Sequence, residues 1–161
     1  MRGLRVVGHP LHPALVHFPV ALWTASLAAD GAMIATGATF WAAAAWWSLV
    51  AGLAMAALAA VAGFVDYSLL APKHPAFRTA TAHMLTMSLS AVLFLASAML
   101  RDGPGAAAGS GALVCSGLGF FALLVCGWLG GTLVYHFGVA EEVVEGLDQP
   151  AHDDSQVHST K

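Results

Sequence analysis

Charge is what this chain most lacks. Only 9% of its 161 residues are Asp, Glu, Lys or Arg, while 58% are hydrophobic; soluble domains carry about a quarter charged residues. That balance excludes an ordinary water-soluble domain and implies no nucleic-acid partner. Cysteine is scarce too. Cys115 and Cys126 are the two present, with no CxxCH arrangement for attached haem c and no Rieske motif. They stand about 16 Å apart along one helix, too far for a mutual disulfide, so they read as small apolar packing residues. A serine nucleophile elbow, a phosphate-cradling glycine loop and paired carboxylates are also missing. No catalytic residue is assigned, and an enzyme in its own right is disfavoured.

What is there is apolar length. Runs of roughly the 20 residues needed to cross a bilayer fall at about 14–36, 40–70, 79–100 and 111–136. The expectation is an all-α, integral-membrane four-helix bundle over residues 1–138, with a polar tail, 139–161, read as disordered. His152 and His158 in that tail could hold metal only loosely. Arg2 and Arg5 before the first run have the outline of a secretory signal, but His17 and Pro19 interrupt the run and it continues past the would-be cleavage site. Arg2, Arg5, Lys73 and Arg78 flank one end of the spans and Arg101 alone flanks the other, which predicts that both termini are cytoplasmic.

Packing signals are plentiful. Gly52, Ala56, Ala59 or Ala60 and Gly63 make small-residue steps in the second span, and Gly127 and Gly131 make one in the fourth. Several of Trp23, Trp41, Trp46, Trp47 and Trp128 fall near predicted span ends, where indole favours the interface. Asp30 reads as a carboxylate snorkelling to the outer surface. His12-Pro13-Ala14 recurs as His74-Pro75-Ala76, and Ser26-Leu27 as Ser88-Leu89, a spacing of 62 residues that suggests two related helix pairs in parallel order.

The chemistry concentrates in GHPLHPALVHFPVAL, residues 8–22. Histidine is costly in hydrocarbon, and proline disturbs a helix interior, so Pro13 suits a helix start while Pro19 should bend the first helix near His17. Because the helices alternate in direction, His17, Asp66, His83 and His136 return to the same end. Intramembrane ionisable groups generally face a bundle interior, so these residues predict a shared pocket. It could hold one b-type haem, with His17 and His83 as the axial pair, His136 as substitute ligand or propionate partner, and Arg78 and Lys73 placed to meet propionates. It could instead hold a transition-metal ion among His9, His12, His17, Asp66, His83 and His136. Or the cluster could only pin the helices. Met87, one turn beyond His83, is more plausibly core than ligand.

The opening motif, GFVDY at 63–67, His83-Met84 and GWLGGTLVYHFGV at 127–139 resemble a bacterial membrane family labelled domain of unknown function twenty-two thirty-one. The likeness spans roughly residues 8–140, with motif positions at His9, His12, His17, Asp66, His83, Tyr135 and His136. It implies a four-helix protein of the bacterial inner membrane, in a family whose domains occur fused to or beside Rieske or cytochrome modules. Redox work with such a partner, or with quinone, is what that association implies.

Overall fold

In a computed structural model, residues 4–7 and 9–139 are described; the expected tail from residue 140 onward lies outside them. Four helices carry the chain: α1 Leu11–Thr36, α2 Thr39–Ser68, α3 Phe77–Met99 and α4 Ser110–Tyr135. All four are long and apolar enough to cross a membrane. Their outer faces expose Ile34, Phe40, Trp47, Leu58, Phe64, Val92, Phe121 and Trp128, which lipid can solvate and water cannot. The chain is a multi-pass membrane protein.

Helix α1 begins two residues before Pro13, whose missing N–H falls in the first turn and lacks a partner in any case. It passes Pro19 without a break, and Pro19 is buried. Gly37 ends it at φ 70°, a left-handed conformation open to glycine, with its N–H donating to the Met33 carbonyl. Ahead of α1, two-residue strands β1 (Arg5–Val6) and β2 (His9–Pro10) pair antiparallel.

Helices α1 and α2 pack tightly as one hairpin and α3 and α4 as another, and the two hairpins touch each other more sparsely. The hairpins are copies. His12 meets His83 with ring centroids 6.3 Å apart and planes at 90°. Trp23 stacks on Phe94 at 4.3 Å, and Asp30 is held by Arg101. Every one of these pairs is 71 residues apart in sequence, so α1 and α3 run parallel and face each other across a pseudo-twofold axis directed along the helices.

The second helix of each hairpin repeats at 67 residues. Gly52 gives space to Leu22 and Trp23, as Gly119 does to Leu93 and Phe94. Gly63 does so for His12, as Gly130 does for His83. The 62-residue repeat expected from His-Pro-Ala is therefore corrected. His74 sits in the connection, accepting the Ala76 N–H on Nδ1 at 3.1 Å. Ser88 is exposed, whereas Ser26 is buried and donates to the Ala45 carbonyl at 2.9 Å. The parallel order of the two helix pairs holds; the register is 71.

Candidate functional site

Along the axis, residues 12, 23 and 30 of α1 share one face, because steps of eleven and seven residues are close to whole numbers of turns. Three layers result: paired imidazoles at one end, an aromatic stack in the middle and an ion pair at the other end. The imidazoles lie beside the α2–α3 connection and the amino-terminal strands, and the ion pair beside the two remaining connections.

Both rings are oriented in the same way. His12 donates from Nδ1 to the Ala59 carbonyl of α2 at 2.9 Å. His83 donates from Nδ1 to the Cys126 carbonyl of α4 at 3.0 Å. A carbonyl only accepts, so the neutral form of each ring keeps its lone pair on Nε2. Glycine makes each contact close, since a β-carbon at Gly63 would stand 2.7 Å from His12 Cε1 and one at Gly130 would stand 3.2 Å from His83 Cε1. The Cys126 sulfur, opposite a methyl at the equivalent Ala59, lies 3.3 Å from His83 Nδ1.

The other residues expected at this end are dispersed. His17, five residues after His12 and so about 140° around the helix, is exposed. It lines a shallow open groove of about 730 Å³ with Val16, Val20, Ala21, Thr24, Ala25 and Ala28. Asp66 accepts the Leu4 N–H on Oδ1 at 3.0 Å and so fastens the amino-terminal segment to the end of α2. His9 donates from Nδ1 to the Val7 carbonyl at 3.0 Å and is exposed. His136 is exposed beyond α4, its ring edge-on to its neighbour Phe137. Lys73 and Arg78 are exposed around the α2–α3 connection. Among the described residues no three of His, Cys, Asp and Glu are grouped to hold one ion.

Asp30 is a correction. Rather than snorkelling outward it is 4% exposed, and Arg101 grips it with two hydrogen bonds of 2.8 and 2.6 Å. Arg101 also reaches Ser97, whose hydroxyl pairs with that of Ser116 at 2.7 Å. In the sequence this buried network is visible only as two opposite charges at one end of the first and third spans. Trp23, in the middle of its span, is fully buried, and its indole N–H has no hydrogen-bond partner among the described residues. In the fourth span the close-approach glycines are Gly119 and Gly130; Gly127 has open space beside it.

With that geometry in place, the comparison with known families is decisive for kinship. A family described as "predicted membrane protein (DUF2231)" matches residues 8–142. The chain belongs to that family. No curated protein and no solved structure matches it. The DUF2231 match takes in both hairpins and so every paired layer on the axis, from His12–His83 to Asp30–Arg101.

Proposed function

We propose that this DUF2231 protein is a membrane redox-associated subunit that binds one b-type haem between His12 and His83. The observation that carries the reading is the pairing of those two imidazoles, each tied through Nδ1 to a carbonyl of its own hairpin. Such a bond is the usual means of fixing a metal-ligating ring and raising its basicity. The two rings stand 6.3 Å apart, centre to centre, and in each the Nδ1 hydrogen bond leaves the Nε2 lone pair for a ligand, so His12 and His83 are the residues that would hold the haem iron.

The donor count favours haem over a bare ion. Porphyrin brings four nitrogens of its own, so two protein ligands suffice, whereas a mononuclear ion asks for three or four side chains. Lys73 and Arg78, exposed at the same end, would meet its propionates. Bound there, haem would supply one-electron chemistry, and His12 and His83 would hold it. His17 points away from this pair, so His12 would take the ligand role that the sequence suggested for His17. The redox partner would be a Rieske or cytochrome protein, or quinone.

Absorption spectra of the detergent-purified protein, expressed with ample haem, test this. A Soret band is expected that His12→Ala and His83→Ala each abolish and His17→Ala leaves in place. A colourless, folded wild type after reconstitution with haemin would sink the proposal, as would full haem content in His12→Ala. If His12→Ala changes stability and no species is ever bound, the imidazoles serve only to pin the helices.

A further inference from the structure

We infer that the inner faces of the two hairpins are copies of one self-recognising surface, and that the Asp30–Arg101 pair steers each copy to the other within a single chain. Two of the three layers on the axis do not care which copies meet. His12 could face a second His12, and Trp23 a second Trp23, if two α1–α2 hairpins from different chains came together, because imidazole on imidazole and ring on ring are like-with-like contacts. The third layer does care. Two first hairpins would bring Asp30 against Asp30 and two second hairpins Arg101 against Arg101, each a like-charge pair in a site where the native side chains are 4% and 2% exposed. Like charges so placed, away from water, strongly disfavour that pairing. Only unlike hairpins match, and the short connection from 69 to 76 keeps a matching one at high local concentration.

The partner that fits each face is therefore the other hairpin, from the same chain or from a second copy. Asp30→Arg places arginine at both axial positions, and Arg101→Asp places aspartate at both. Neither chain matches internally. Two such chains exchanging hairpins match twice.

Full-length Asp30→Arg and Arg101→Asp chains bearing different affinity tags, co-expressed and extracted in mild detergent, should be captured together as a one-to-one dimer. Wild type with wild type, and either variant with itself, should not. In a single chain, the double exchange Asp30→Arg/Arg101→Asp should return the melting temperature close to wild type from the lower value of each single variant. The inference is overturned if the double exchange melts no higher than the singles, since the two positions are then not equivalent. It is overturned equally if the co-expressed single variants yield no mixed dimer.

Discussion

Gly63 lies directly beneath the imidazole of His12, so close that a β-carbon there would stand 2.7 Å from Cε1 and 2.8 Å from Nδ1. The ring is held on its other constraint by the Ala59 carbonyl one turn away. Gly63→Ala must then push the imidazole off its hydrogen bond. The expected cost is about 1–3 kcal/mol of stability, the usual range for overpacking, together with loss of haem binding if His12 holds haem as proposed. Gly130→Ala, whose β-carbon would stand 3.2 Å from His83, should act in the same direction and more weakly. Gly127→Ala, with nothing within 4 Å, serves as the control. Thermal melts in detergent read all three, and equal effects at Gly63 and Gly127 would refute the account.

The ion pair gives a sharper asymmetry. Arg101→Met leaves the Asp30 carboxylate buried without its two donors, and stranding one member of such a pair costs about 3–5 kcal/mol. Removing both charges with Asp30→Leu/Arg101→Met replaces the pair by packing of similar bulk and should cost far less. Reversible unfolding in mixed detergent measures the difference. A double variant at least as unstable as Arg101→Met would mean that the ion pair itself, rather than the cost of breaking it, holds this end together.

How much of this was written in the sequence differs from layer to layer. The helices were legible because about 20 apolar residues in a row leave the backbone no other way to satisfy itself in lipid. That His83 turns to the bundle interior was legible from its cost in hydrocarbon, but which imidazole it meets was not. His12 and His17 both sit in the opening motif, and only the rotation of α1 against α3 decides between them. The duplication hid for a related reason. Trp23 and Phe94, or Asp30 and Arg101, are equivalent in place and unlike in identity, while His12-Pro13-Ala14 and His74-Pro75-Ala76 are identical in letters and unlike in place. Burial of Asp30 could not be read either, because a carboxylate near a span end snorkels unless a cation from another helix arrives at the same depth.

The aromatic layer offers a substitution that nature has already made in the other half. Trp23 buries an indole N–H that has no partner among the described residues, whereas the equivalent Phe94 has no such donor to satisfy. Trp23→Phe removes an unsatisfied donor, worth about 1–3 kcal/mol, and gives back a comparable amount in lost volume. Stability should therefore change by less than about 1 kcal/mol, while Trp23→Ala should lose about 3–5 kcal/mol. Melting curves of the two variants separate these outcomes. A large loss in Trp23→Phe would show that the indole N–H has a partner after all.

Where the cations stand predicts the orientation in the bilayer. Lys73 and Arg78 are exposed at the α2–α3 connection, beside the amino-terminal strands, while Arg101 at the opposite end is buried against Asp30 and so presents little free positive charge there. Retention of Lys- and Arg-bearing connections on the cytoplasmic side then predicts that the His12–His83 end faces the cytoplasm. With four spans among the described residues, α1 begins and α4 finishes at that same end. In a bacterial host, a fluorescent protein fused to the carboxyl terminus should fluoresce, and alkaline phosphatase inserted at Gly105, in the α3–α4 connection, should be active. The reverse pattern would place the paired imidazoles at the outer face. A redox partner, in the proposed function, would then be sought on the outer side of the membrane.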